Sequence, residues 1–362
     1  MLSGVKSTEI LKTLLRDVTS GTFAGEEKLP SEASLCARFG VSRMTVRGVL
    51  AELQRRGLIE KRNGAGSFLT RRALRTSGVI GLVIPDFSQF EFFSALQDEI
   101  TRHCARLHYR VELVTTDKAE KEAAVADLRH KVRKLAALRA EGVIFRPYVS
   151  DSFAKPNREI VKILQHAEIP FVLIDADIVR PPNRSDCDLV AVDNIAAGRR
   201  IADHLHQRGC RRIAFLTETR ARKMNANWSN RLFGLAGELA LLGTANAVQT
   251  LTFAPDNAKA IASTLRRRNR PDAIVCGNDE RAAILSETLQ ILGKRIPDDV
   301  AVIGFDNSAH ATRSCPPLTT VSQPVDKLAA TAFKVLLARI RYPGNEPRET
   351  YLSAPLVVRA ST

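Results

Sequence analysis

The 362-residue chain is 44% hydrophobic, enough for two or three compact units with real cores, and it has no apolar run near the ~18 residues that a membrane-spanning helix needs. Basic side chains outnumber acidic ones by 54 to 39, and the excess is densest at the front, where residues 1–77 hold 14 basic and 7 acidic side chains; this points to a polyanionic partner. Six cysteines are scattered without a C-x-x-C pair and the opening "MLSGVKSTEILKTLLRDVTSG" mixes charges through its apolar positions, so a disulfide framework, a thiolate zinc site, a signal peptide and a membrane anchor are not expected, and a reducing cytoplasm is.

Ile10, Leu11, Leu14, Leu15 and Val18 repeat at the spacing of an amphipathic helix over 7–20. After the loop "GTFAGEEKLP", Pro30 and Ser31 open a second helix through Phe39, with Ser31 placed as its cap. Gly40, Val41 and Ser42 form a short turn, and a third helix runs to about Arg56 and stops at Gly57, a residue suited to a left-handed cap. Val46, Val49, Leu50 and Leu53 make its buried stripe, which leaves Arg43, Thr45 and Arg47 off the stripe at the amino end. Two helices joined by a glycine-containing turn, the second basic at its start, follow the helix-turn-helix plan, in which arginine grips a guanine edge or a phosphate of double-stranded DNA. "LIEKRNGAGSFLT" then alternates around Asn63 and Gly64 as a hairpin, a wing that brings Lys61, Arg62 and its glycine-rich tip towards DNA.

The stretch "LPSEASLCARFGVSRMTVRGVLAELQRRGLIEKRNGAGSF" resembles the winged helix-turn-helix of GntR-family transcription regulators, a likeness that covers residues 8–69. That resemblance implies DNA contacts from Ser31, Arg43, Thr45 and Arg47 and from the wing between Gly64 and Gly66. Many members carry Arg where this chain has Ala33, which shifts base reading towards Arg43 and Arg47.

Beyond the polar linker of residues 71–77, short β-branched runs alternate with helical stretches, the pattern of parallel βαβ units and an α/β fold. The runs are 78–86, 109–116, 141–148, 169–177, 189–194, 211–218, 248–253, 271–279 and 299–307, and they divide into two lobes with a break near residue 180, at the proline-rich "VRPPNRSDCD". Ligands of such sheets bind beyond the carboxyl ends of strands. Those ends carry Asp86 to Phe93, Arg146, Tyr148, Asp175, Asp193, Asn194, Glu218, Asn278, Asp279, Asp306 and Asn307, a set suited to a hydroxyl-rich ligand, with Phe92 or Trp228 to stack on a ring. Asp193 and Asn278 are equally placed to cap the helices that follow them. His204 and His206 fall about 200° apart on a helix and make no metal pair.

"GVIGLVIPDFSQFEFF", "EGVIF", "VAVDNIAAGRRIADHLHQRGCRRIAFLTE", "RLFGL", "PDAIVCGNDERA", "VAVIGFDN" and "PPLTTVSQP" occur in the order of the LacI-type effector domain, and residues 79–356 resemble that domain and, in fold, periplasmic sugar-binding proteins. The resemblance implies a ligand shell of Phe92, Asp193, Arg231, Asn278, Asp306 and Gln323. In its first loop this chain has "SQFEFF" where many members have S-N-P-F-F. A GntR-type reader joined to a LacI-type sensor resembles the arabinose-repressor group. It implies a homodimeric, sugar-responsive regulator, with a pentose as the leading effector and a nucleobase or nucleoside as the alternative. A transport receptor is disfavoured by the DNA-reading unit. No P-loop, G-x-S-x-G elbow, H-E-x-x-H or G-x-G-x-x-G after the first strand proposes an enzyme, a metal or a cofactor.

Overall fold

The computed structural model describes residues 5–19, 28–55, 57–62, 64–70, 77–85, 91–118, 120–149, 153–180, 183–217, 225–243 and 248–362. The linker expected at 71–77 lies outside them except for Ser77, as do Asn63 of the wing, residues 86–90 of the first cleft loop, Glu218, and residues 219–224 ahead of Trp228.

Helices α1 (Val5–Thr19), α2 (Glu32–Phe39) and α3 (Arg43–Arg55) and the hairpin β1 (Ile59–Arg62) and β2 (Gly66–Leu69) form the first unit. Leu14, Leu35, Val49, Leu50 and Leu53 close its core, and Arg38 joins α2 to α1 through Asp17 at 2.7 Å. Gly40, at φ 62°, ends α2 in the left-handed conformation, and Ser42 then holds the first turn of α3 through the amide of Thr45 at 3.3 Å. Leu58 N–H donates to Leu53 O at the other end of α3, past Gly57 at φ 71°. In the hairpin Ile59 pairs with Leu69 and Arg62 with Gly66. Lys28 adds an antiparallel bridge to Phe68, so the segment before α2 lies along the wing.

The larger unit begins with β3 (Val79–Val83), α4 (Glu91–Arg106), β4 (Arg110–Val114), α5 (Lys121–Ala137), β5 (Gly142–Phe145), α6 (Ala154–His166), β6 (Phe171–Ile174) and β7 (Leu189–Val192). It continues with α7 (Asn194–Gln207), β8 (Ile213–Thr217), α8 (Ala226–Leu241), β9 (Gln249–Thr252), α9 (Ala258–Leu265), β10 (Ala273–Cys276), α10 (Asp279–Ile291), β11 (Ala301–Asp306), α11 (Ala309–Arg313) and β12 (Thr319–Ser322). Last come α12 (Val325–Arg341), β13 (Glu349–Leu352) and β14 (Leu356–Val357). Two six-stranded sheets result, in the orders β4-β3-β5-β6-β7-β13 and β9-β8-β10-β11-β12-β14. All pairs are parallel except β12 with β14, so the fold is the α/β, two-lobed architecture expected. Alternate residues serve opposite faces: Ile80, Leu82 and Ile84 pack on one side of the first sheet, and Val79 and Val83 on the other.

The break between lobes is not near residue 180. The strand after the proline-rich loop, β7, returns to the first sheet, pairing with β6, and the chain crosses only at Asp193. It crosses back between β12 and α12, then again between β13 and β14. A loop's composition marks where a strand ends but carries no information on which sheet receives the next one.

Candidate nucleic-acid interface and effector cleft

At the first unit, Arg43 and Arg47 project from the start of α3, both exposed, while Thr45 is half-buried and shares a 3.0 Å hydrogen bond with the Ser42 hydroxyl. Ser31 Oγ accepts from Ser34 N–H at 3.1 Å, so this side chain caps α2. Glu32, beside it, receives Arg47 Nε at 2.9 Å and Lys61 Nζ at 3.5 Å, tying α2, α3 and the wing at one carboxylate. The Arg47 hydrogen bond holds the Glu32 carboxyl below its ordinary range, against burial. Arg62 donates to Glu60 and lies 4.4 Å from the Phe68 ring centre, and Lys28 lies 5.7 Å from the same ring. Gly64 and Gly66 have φ of 72° and 109°, and a Cβ on Gly66 would press on Lys28 Cε. Sequence reasoning missed Lys28 and Glu32. The basic wing was a signal for neither, because both join it only through tertiary contacts.

In the larger unit the carboxyl ends of the two sheets face each other. Arg146, at the end of β5, is buried; its Nε donates to Asp175 at 3.2 Å and its guanidinium carbon lies 4.3 Å from the Phe93 ring centre. Phe92 packs edge-on against Phe93 at 5.2 Å and is itself buried. Asp175, with φ 73°, accepts from Asn227 Nδ2 at 3.0 Å. Asn227 belongs to α8, so this buried bond runs from one lobe to the other. At the rim, Glu91 accepts from the backbone amide of Ala309 at 3.1 Å, again between lobes.

Arg231 is the centre of the second lobe's share. Its Nε donates to Asn194 Oδ1 at 2.7 Å, a terminal nitrogen donates to Gly277 O, and its guanidinium carbon lies 3.3 Å from the Phe305 ring centre. Burial pushes Arg231 down to about 10, while Asp306, Asp175 and Asp279 oppose the shift. Asp306, at φ 114°, accepts from Gln323 Nε2 at 2.7 Å; burial pushes it up to about 7, opposed by Arg231 and reinforced by Asp279. Asp279 accepts from Thr320 Oγ1 at 2.6 Å and Ser308 N–H at 2.8 Å, and burial pushes it up to about 6. Trp228 lies flat against Gly277, where any Cβ would overlap the indole, and the Arg281 guanidinium carbon is 5.1 Å from the centre of its ring.

Asp193 accepts from Ala196 N–H at 2.8 Å and Asn278 from Arg281 N–H at 3.1 Å, so both side chains cap helices whose amino ends open on the cleft. Phe92, Arg146, Trp228, Arg231, Asn278, Asp306 and Gln323 stand with Asp193 at the strand ends or within the first two helical turns that border this space. Asn227 was not anticipated, since nothing in "TRARKMNANWSNR" distinguishes one asparagine from its neighbours. A cavity of about 1270 Å³ lies elsewhere, at the opposite ends of β5 and β6, lined by Glu141, Glu168, Phe171, Cys187 and Arg339 among others; it includes none of the cleft residues. Among the described residues no helix is long and apolar enough to cross a membrane.

Residues 6–69 match the family described as bacterial regulatory proteins, gntR family, and residues 202–362 match the periplasmic binding protein-like domain. The arabinose metabolism transcriptional repressor of Geobacillus stearothermophilus is 28% identical over 99% of this chain and 97% of its own length. An HTH-type transcriptional repressor, PurR, of Vibrio atlanticus is 30% identical over 84% of this chain and 87% of its own. A LacI family transcriptional regulator from Enterococcus faecalis, solved with bound ribose, superposes with a TM-score of 0.64 at 26% identity, covering 78% of this chain and 98% of that one.

Proposed function

We propose, from the premise that this chain belongs to the transcription repressors that carry a GntR-family helix-turn-helix on a LacI-type, periplasmic-binding-protein-like domain, that it represses carbohydrate-metabolism genes and that a neutral sugar in the cleft controls its hold on DNA. The reader is residues 1–70, the linker 71–77 and the sensor 78–362. Two readers in a homodimer bind two half-sites of an operator through Arg43, Thr45, Arg47 and the wing residues Lys61, Arg62, Gly64 and Gly66, with Ser31 holding α2 beside them.

One observation carries the sugar assignment. Among the described residues the two buried guanidiniums of the cleft are already engaged, Arg146 by Asp175 and Arg231 by Asn194 and the Gly277 carbonyl, while Asp175, Asp279 and Asp306 contribute three carboxyl groups. That balance disfavours an anionic ligand such as a sugar phosphate. Carboxylates and amides facing an aromatic ring fit neutral hydroxyls and the apolar face of a sugar, and the similarity to the arabinose repressor makes a pentose the first choice.

Thermal unfolding of the full chain with L-arabinose, D-ribose, D-xylose, a pentose phosphate, adenine and guanine tests this, because a ligand of the folded state raises the transition by mass action. A neutral pentose is expected to raise it and to change operator binding in a gel-shift assay, and its phosphate is expected to do neither. A shift by a nucleobase and by no sugar would overturn the effector assignment and leave the repressor standing.

A further inference from the structure

The outermost ridge of α3 is apolar over its first two turns. At 100° per residue, the stripe of Val46, Val49, Leu50 and Leu53 has its opposite ridge at Met44, Gly48 and Ala51, and only at the far end of the helix does Arg55 join it. Met44 is 80% exposed and Ala51 is exposed as well, so neither side chain serves the reader's own core. Arg43 and Arg47, four residues apart, lie together on one flank of this ridge, and Arg47 is drawn towards the wing by Glu32. A helix-interior glycine weakens a helix relative to alanine. Gly48 therefore needs another reason to be there, and one turn beyond Met44 it offers the least bulky surface a helix can present.

We propose that the Met44–Gly48–Ala51 ridge reads thymine: Met44 lies against thymine 5-methyl groups on the floor of the major groove, and Gly48 lets the helix come close enough for that contact. The inference rests on the reading of this unit as the DNA reader. Flanking cations supply attraction to phosphate and hydrogen bonds to guanine, but a methyl group can be recognised only by an apolar surface. The groove edge of a thymine is the one base edge that offers a methyl, and Met44 is the large apolar side chain that α3 leaves in solvent. The front of the chain, with 14 basic and 7 acidic side chains in residues 1–77, supplies the charge complementarity that brings a duplex to this ridge.

The test uses the full-length protein and an operator selected from randomised duplexes. Each thymine of the selected site is replaced in turn by uracil, which removes the 5-methyl and nothing else. Wild type is expected to lose roughly fourfold in affinity at one or two positions, the factor that burial of one methyl is worth. Met44→Ala is expected to bind thymine and uracil duplexes alike at those positions, with an unchanged salt slope. Gly48→Ala is expected to weaken binding to the thymine operator although its thermal transition stays equal to wild type or rises, which separates loss of approach from loss of fold. A selected operator in which no uracil replacement matters, or a Met44→Ala protein that keeps the wild-type preference for thymine, overturns the ridge reading and leaves the repressor intact. A selection that returns no preferred sequence overturns both.

Discussion

Asp306 is the residue where burial and function pull in different directions. In the folded chain it holds its proton up to about pH 7, whereas its ordinary value is 3.8. The folded state therefore binds more protons than the unfolded one between those values, and the stability this group contributes falls as pH rises from about 4 to about 7. A sugar hydroxyl donates best to the ionised carboxylate, with Arg231 near enough to favour that form. Effector affinity is expected to rise between pH 6 and pH 8, read by calorimetric titration. Asp306→Asn is expected to flatten that profile and to weaken binding roughly tenfold or more, the worth of one hydrogen bond to a charged group. An unchanged pH profile in Asp306→Asn would remove this carboxyl from the ligand's contacts. The same residue shows what a sequence conceals: its place at the end of a strand is legible in "VAVIGFDN", but its elevated proton affinity comes from burial and from Asp279, brought in from another segment, against the opposing charge of Arg231.

Helices α7 and α8 cross backbone to backbone. A Cβ on Gly198 would overlap the Arg231 carbonyl oxygen, and one on Gly234 would overlap that of Ile195. This close crossing sets Arg231 opposite Asn194 at 2.7 Å, so the R-x-x-G element works as a single device: the glycine brings the helices together and the arginine one turn earlier reaches the cleft. Gly234→Ala is expected to destabilise the protein by about 3 kcal/mol, at the upper end for overpacking because the obstructing atoms are backbone. Gly237→Ala, on the same helix with open space around it, is expected to be neutral or to stabilise by about 0.5–1 kcal/mol. Denaturant unfolding of both variants checks the pair, and equal effects would refute the crossing as the cause. At this scale the sequence was largely legible. Nine β-branched runs are nine strands, and seven of them, all but the edge strands β4 and β9, are buried almost throughout because strands covered on both faces must be apolar. The strands at Thr319–Ser322 and Glu349–Leu352 lack that signature because threonines and polar residues interrupt them, and β13, at the sheet edge, is half-exposed along its length.

Three chain crossings make the two lobes one mechanical unit, and the Asn227–Asp175 bond closes it from the inside. That bond joins the lobes only when they face each other at hydrogen-bond distance, so it favours the same closed arrangement that a ligand touching both lobes favours. Removing it leaves Asp175 its partner Arg146 and leaves the reader, whose core and wing are built from residues before 71, untouched. Asn227→Ala is accordingly expected to weaken effector binding roughly tenfold or more, the value of one hydrogen bond to a charged group. The dependence of operator affinity on salt is expected to match wild type in fluorescence-anisotropy titrations without effector, because the phosphate contacts that set the salt slope belong to the reader. Linkage adds a stricter requirement: in wild type and variant alike, the factor by which effector changes operator affinity must equal the factor by which operator changes effector affinity. A variant that loses operator affinity in the absence of effector would show that the Asn227 bond supports the reader's placement rather than the closing of the lobes.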